Sequence, residues 1–178
     1  MSEPKRQRRS RSVIPYEVQV RVFFRDGWLC HWCYRPVVFS PTLRLLELFV
    51  KRSGYTHSLA YFHPNWNRTS APLLDHLGAV LDHIEAYAKG GAHAEGNLVA
   101  ACNKCNTRKN DGLAEEFVQK APGKRVKSRH GEPVHWDGLT SLFLVLADQG
   151  MKLEGYEERW ATALRAHVAQ APGHTTTT

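Results

Sequence analysis

The side chains best suited to chemistry lie in residues 81–109. Asp82 and His83 place a carboxylic acid beside an imidazole base, and both groups are common in acid–base catalysis. Cys102 and Cys105 stand in CxxC spacing, which suits the thiolate ligands of a metal ion. The segment therefore combines a proton acceptor with a metal-binding pair.

The local pattern predicts the elements that hold these residues. Residues 81–86 and 98–101 are short, partly apolar runs, and the glycine-rich segment between them can turn the chain back. After Cys102 the polar pattern favours the start of a helix. We therefore predict a strand, a loop, a strand and a helix, with the Asp-His pair on a strand opposite an Asn at the start of the helix.

A second Asp-His pair, Asp75-His76, lies a short way upstream. Only the later pair, Asp82-His83, is followed by a double glycine and by Asn97 at distances that a short hairpin can span. We therefore predict that the later pair forms the site.

This ordered set of residues resembles the signature of the HNH endonuclease family. The matching residues are Asp82-His83-Ile84, Gly90-Gly91, Asn97-Leu98, Cys102, Cys105, Asn106 and Lys109. Upstream, residues 25–33 (RDGWLCHWC) are similar to the RDGxxCxxC stretch that leads into the core of that family. The resemblance covers residues 15–36 and 79–112. It implies an α+β fold with a ββα-metal core, stapled by a four-cysteine zinc site and flanked by helices.

The resemblance also implies a role for each polar residue of the motif. His83 is the general base that takes a proton from water, and Asp82 is a ligand of the catalytic metal. Asn106 stands where the motif ends in His, and its amide oxygen suits Mg²⁺ or Mn²⁺, with Ni²⁺ or Zn²⁺ as alternatives. Asn97 holds the loop between the strands and so orients His83. Side chains of neighbouring residues face opposite ways on a regular strand, so these roles predict a locally irregular strand.

The cysteines form two CxxC pairs with none left over, at Cys30, Cys33, Cys102 and Cys105. In a secreted protein this count could mean two disulfides. However, no apolar signal segment follows the basic start, which favours a cytoplasmic protein. In that compartment, paired CxxC motifs are better explained by thiolates on one structural Zn²⁺. Such a site would clip two distant segments of the chain together.

The net charge of +7 and the pI near 9.4 favour a polyanionic partner, with a solvated basic surface as the alternative. No apolar run is long enough to span a bilayer. The expected partner is DNA, in double-stranded form, and the sequence sets no oligomeric state. The residues predicted to contact DNA are Lys104, Arg108, Lys109, Arg6, Arg8, Arg9, Lys124 and Arg125.

The chain divides into predicted parts around this core. Residues 1–14 form a basic flexible arm, and residues 15–119 form the nuclease core with an insertion at about 37–76. A basic linker at 120–134, a C-terminal helical extension at 135–170 and a disordered tail at 171–178 follow. Helices are predicted at 16–26, 41–52, 137–149 and 156–168, and the last two are expected to pack on the core.

These observations favour a metal-dependent HNH endonuclease that hydrolyses DNA phosphodiester bonds. The alternative is a zinc-stabilised nucleic-acid-binding module without catalysis. A binding module has no need of Asp82, His83 and Asn106 together, so their joint presence favours the enzyme.

Overall fold

A computed structural model describes residues 13–56, 77–120, 136–150 and 152–170. The predicted arm, basic linker and tail lie outside the described residues apart from their edges, and so do residues 57–76 of the predicted insertion. Within the described ranges, no helix has the length and apolar character needed to cross a bilayer.

The first helix, α1 (Tyr16–Arg25), begins directly after Pro15, whose fixed φ suits a helix start. Its inward face buries Val20 and Phe23 at helical spacing, which outweighs the β-branched content that also suits a strand. The chain leaves the helix through Gly27 at φ +60°, a conformation that favours glycine, and enters the first CxxC loop.

The second helix, α2 (Ser40–Arg52), is the leucine-rich helix predicted at 41–52. Leu45 and Thr42 are buried on its inner face. Just before it, Val38 forms a parallel bridge with Gly78. This bridge places the entry to α2 beside the start of the central hairpin.

The centre of the fold is an antiparallel hairpin followed directly by a helix. Strand β1 (Ala79–His83) pairs with β2 (Leu98–Cys102), with Asp82 opposite Val99 and His83 opposite Leu98. Every residue of β2 is buried. Helix α3 (Asn103–Lys109) begins at the next residue. The order confirms the predicted ββα arrangement in an α+β fold.

Three further helices follow. Helix α4 (Ala114–Lys120) follows α3 after a turn at residues 110–113. Helices α5 (Thr140–Asp148) and α6 (Gly155–Gln170) correspond to the two helices predicted near the C-terminus. Helix α5 starts later than predicted, because Leu139 takes a left-handed conformation at φ +66°. The carboxylate of Asp137 still caps it, accepting hydrogen bonds of 2.9 Å from the N–H groups of Leu139 and Ser141.

An aromatic cluster joins these C-terminal helices to the rest of the core. Phe39 packs edge-on against Phe143 of α5 and Trp160 of α6, with ring centroids 5.2 and 4.9 Å apart. It also packs against Trp28, which stacks on Phe23 of α1. The C-terminal helices therefore complete the hydrophobic core, as predicted.

Candidate active site and four-cysteine cluster

The four cysteines meet at one buried point. The sulfur atoms of Cys30, Cys33, Cys102 and Cys105 all lie within 4.8 Å of one another, and Cys33 Sγ is 4.0 Å from Cys102 Sγ. Tetrahedral Zn²⁺ with Zn–S distances of about 2.3 Å places its sulfurs roughly 3.8 Å apart, so the cluster is compatible with a structural zinc. Hydrogen bonds with Cys105 and then Cys30 lower the pKa of Cys102 to about 7, although the contact with Cys33 and burial oppose that change.

The cluster fixes where the hairpin and α3 sit relative to the N-terminal segment. Cys102 ends β2 and caps α3, with its sulfur accepting a hydrogen bond from the Cys105 N–H. The opposing CxxC loop is tied to the same strand, because the His31 N–H donates to the carbonyl of Ala100 at 2.8 Å. Asp26 also accepts a hydrogen bond from the Ala100 N–H. A metal at this point would therefore hold the strand that pairs with the Asp-His strand.

The carboxylate of Asp82 is buried, with 5% of the residue exposed. Its Oδ2 atom accepts a 2.7 Å hydrogen bond from the indole N–H of Trp32. Its Oδ1 atom accepts from the His83 N–H at 2.8 Å and lies 3.4 Å from the ammonium of Lys109. Burial raises the pKa of the Asp82 carboxyl, and the charge of Lys109 and the hydrogen bond from Trp32 oppose that rise.

Lys109 lies in the interior, unlike the other basic residues of α3. Its ammonium donates a 2.6 Å hydrogen bond to the carbonyl of His83 and lies 5.4 Å from the ring centre of Trp32. Lys104 and Arg108 are exposed. The buried position of Lys109 does not suit the DNA contact predicted for it, because its ammonium already contacts Asp82 and the carbonyl of His83.

His83 ends β1 and faces a different set of partners. Its Nε2 atom lies 2.9 Å from Nδ1 of His93, and its ring also contacts Tyr87. The ring is half-buried, and burial, followed by the neighbouring His93, lowers the pKa of His83 below its ordinary value. A lowered pKa keeps the imidazole neutral near pH 7, which is the form that can accept a proton.

The predicted local irregularity of the strand is not seen. The β1–β2 register runs without a bulge through Asp82 and His83. Alternation along β1 therefore gives the carboxylate and the imidazole separate surroundings, because successive side chains point to opposite faces. The structure brings Asp82 to Lys109 and Trp32, and His83 to His93.

Asn97 spans the loop between the strands. Its amide oxygen accepts from the Glu85 N–H at 2.8 Å, and its amide N–H₂ donates to the carbonyls of Glu85 and Ala92. Gly91 is packed against this clamp, since a Cβ there would lie 1.9 Å from the Glu85 carbonyl oxygen and 2.9 Å from the Asn97 amide nitrogen. These bonds tie the two sides of the loop together, and the role of Asn97 in orienting His83 stays a prediction.

The remaining predicted site residues lie either on α3 or outside the described residues. Asn106 is half-buried on α3, about one helical turn before Lys109, the last residue of that helix. The predicted DNA contacts at Arg6, Arg8, Arg9, Lys124 and Arg125 lie outside the described residues.

The predicted ligands of a catalytic metal are a carboxylate and an amide, which are hard oxygen donors that suit Mg²⁺ or Mn²⁺. In chemistry this donor set fits such a cation. The negative charge of this donor set is already partly balanced, because the ammonium of Lys109 lies beside the Asp82 carboxylate. The metal role of Asp82 and Asn106 stays a prediction.

Comparison with known proteins bears directly on the hairpin and α3. Residues 74–112 match the HNH endonuclease family model. The match confirms the resemblance read from the motif and indicates nuclease-type chemistry for this HNH segment. It begins after the first CxxC pair, so Cys30 and Cys33 reach the HNH segment from outside it. No curated protein and no solved structure matches the chain.

Two contact residues of the site are absent from the sequence-based predictions. Trp32 lies inside the first CxxC pair, and this position next to two metal-ligand candidates is a signal that could have found it. His93 lies between the double glycine and Asn97, in the loop that follows β1. Only the folded loop shows that its ring meets His83.

Proposed function

We propose that the chain is a metal-dependent endonuclease that hydrolyses DNA phosphodiester bonds, with His83 as its general base. One observation carries the proposal. Within the HNH segment, the imidazole of His83 has a lowered pKa and is held at Nε2 by His93, which leaves Nδ1 for a proton from water. A neutral, oriented imidazole is what general-base attack by water on a phosphate requires.

The chain supplies the support that such a base needs. Lys109 holds the main-chain carbonyl of His83 at 2.6 Å, and Asn97 holds the loop that carries His93. The hydrogen bond from Trp32 holds the carboxylate of Asp82, so the end of β1 is held in place from several sides. These bonds keep the imidazole within reach of one position as the substrate approaches.

A bound divalent cation, proposed to be Mg²⁺ or Mn²⁺ held by Asp82 and Asn106, would polarise the phosphate and stabilise the leaving 3′ oxygen. We propose double-stranded DNA as the substrate because the net charge is +7 and because Lys104 and Arg108 lie one helical turn apart on the exposed side of α3. The basic arm and linker add Arg6, Arg8, Arg9, Lys124 and Arg125 by sequence.

The test is a plasmid-nicking assay with Mg²⁺, Mn²⁺ or Ni²⁺, each compared with chelator. His83→Ala should lose about 10²–10⁴ in rate, the usual contribution of a general base, while it keeps its DNA affinity. His76→Ala is the matched control, because it removes the imidazole of the other Asp-His pair, and it should cut at the wild-type rate. Loss of cleavage in His76→Ala with activity kept in His83→Ala would contradict the proposal.

A second candidate is a zinc-stabilised nucleic-acid-binding module without catalysis. The observation that favours it is the ammonium of Lys109 beside Asp82, which opposes a second cation at that carboxylate. Such a module binds DNA with strong salt dependence but leaves the plasmid intact with all three metals. The nicking assay therefore separates the two candidates.

A further inference from the structure

The contact between His83 and His93 joins two imidazole rings through a nitrogen pair. Nε2 of His83 and Nδ1 of His93 are 2.9 Å apart, and the ring centres are 5.0 Å apart. At this distance the two nitrogens share one hydrogen, with one ring donating and the other accepting.

The ring of His93 is fixed on its other sides. It stacks on Tyr87 with ring centres 4.4 Å apart and an angle of 10° between the planes. Its Nε2 atom is buried and has no hydrogen-bond partner within the described part of the chain. The hydrogen bond with His83 is therefore the polar contact that this ring makes there.

The chemistry of a base decides which ring donates. An imidazole that has accepted a proton carries N–H on both nitrogens. Once His83 has taken a proton at Nδ1, its Nε2–H can only donate, so Nδ1 of His93 must accept. If His93 donated instead, the proton of neutral His83 would sit on Nδ1, and no nitrogen of that ring would be free to act as a base.

We propose that His93 is a positioning residue, which accepts a hydrogen bond from Nε2–H of His83 and so holds the His83 ring with Nδ1 free. This inference rests on the proposed nuclease function, for which Nδ1 is the atom that takes the proton. The hydrogen of His93 then lies on its buried Nε2 atom. The stack on Tyr87 keeps its Nδ1 aimed at His83 throughout the reaction.

Nuclear magnetic resonance tests the hydrogen bond without any use of catalysis. In zinc-loaded protein labelled with ¹⁵N at histidine, at a pH well above the ordinary histidine pKa, His83 should carry its proton on Nε2. A scalar coupling should join that nitrogen to Nδ1 of His93. A His83 ring protonated on Nδ1, or the lack of the coupling, would overturn the proposal. This result stands whether or not the protein cuts DNA, so it separates failure of the inference from failure of the proposed function.

Kinetics then test whether the bond matters for the reaction. His93→Phe keeps a ring to stack on Tyr87 but has no nitrogen, and we expect kcat to fall roughly tenfold or more with little change in KM, which is less than the 10²–10⁴ of the base itself. His93→Asn can offer its amide oxygen in place of Nδ1 and should regain most of kcat. A folded His93→Phe variant with wild-type kcat would overturn the proposal. If that variant does not fold, the wild-type coupling and the Asn variant decide the question.

Discussion

The indole N–H of Trp32 donates a 2.7 Å hydrogen bond to Oδ2 of Asp82. Trp32 lies between Cys30 and Cys33, so this bond links the four-cysteine cluster to the strand that ends in His83. The four-cysteine cluster and a candidate catalytic residue are therefore connected through one buried side chain. The position of the strand depends on the loop that the cysteines hold.

This bond should contribute measurably to stability because its acceptor is a buried carboxylate. Trp32→Phe should lower the free energy of unfolding by about 1.5–3 kcal/mol, the range for hydrogen bonds to charged groups. Trp136→Phe is the matched control, since the Trp136 indole donates at 2.8 Å to the uncharged carbonyl of Val37 and should cost about 0.5–1.5 kcal/mol. Urea unfolding of the zinc-loaded proteins measures both. Equal losses in the two variants would show that the charge of Asp82 adds nothing.

Loss of one cysteine ligand should damage folding before it damages chemistry. Structural zinc can contribute about 10 kcal/mol or more of apparent binding energy to folding, so Cys102→Ser should lose bound zinc, solubility and cooperative unfolding. His31→Ala, a change at an exposed residue between Cys30 and Cys33, should keep the metal. Zinc content by mass spectrometry and thermal unfolding provide the measurements. Purified wild-type protein without zinc, or a Cys102→Ser variant as stable as wild type, would contradict the zinc site.

Lys109 should matter more to folding than its exposed neighbour. Lys109→Met leaves the buried carboxylate of Asp82 without its cation and should cost about 3–5 kcal/mol. Lys104→Met removes the same charge from the surface of α3 and should change stability by about 0.5 kcal/mol or less. Adding Asp82→Asn to Lys109→Met should recover part of the loss in a double-mutant cycle. If the two lysine variants are equally stable, the pairing with Asp82 does not contribute.

The exposed face of α3 should set part of the salt dependence of DNA binding. Each phosphate contact makes the slope of log K against log salt steeper by about 0.9. Lys104→Gln and Arg108→Gln should therefore each make this slope shallower by about that amount. Lys152→Gln makes the same change in net charge at an exposed residue outside α3. Fluorescence anisotropy on a duplex over a salt series gives the slopes. A similar decrease for Lys152→Gln would mean that net charge, and not α3, determines the slope.

The cap of α5 should give a pH-dependent share of stability. Burial acts to raise the pKa of Asp137, but hydrogen bonds from Ser141 and Leu139 outweigh it and leave the pKa lowered. A lowered pKa means that the stabilisation is complete above the ordinary Asp pKa and is lost as the pH falls through the lowered value. Asp137→Ala should therefore cost about 0.5–2 kcal/mol near neutral pH and less in acid. Asp137→Asn keeps an acceptor without the charge, and a wild-type pH profile in that variant would contradict this account.

The parts of the site that are local in sequence could be predicted from the sequence. The hairpin and α3 follow from short apolar runs around glycines, and the cysteine cluster follows from two CxxC pairs. The burial of Lys109 could also have been read from helical spacing, because it lies one turn after the buried Cys105, whereas Lys104 and Arg108 share the opposite side. Lys109 was predicted to contact a phosphate because a basic residue near a helix start is usually exposed.

The contacts that fix Asp82 and His83 could not be predicted in the same way. The bond from Trp32 to Asp82 crosses between two segments that only the folded cysteine cluster brings together. The pairing of His83 with His93 depends on how the loop folds back and on the stack with Tyr87. Pattern and spacing along the chain carry no information about such ring-to-ring distances.

The packing of α1 against α6 has a consequence for synthesis of the chain. Tyr16 of α1 packs edge-on against Trp160 of α6 with ring centres 4.5 Å apart, and Val20 and Leu164 are both fully buried in the same core. While the ribosome is making the hairpin and α3, the apolar side of α1 has no α6 to cover it. We therefore expect the HNH segment to emerge from the ribosome before its hydrophobic core can be completed. The nascent chain should depend on chaperones until α6 has emerged and covers the apolar side of α1.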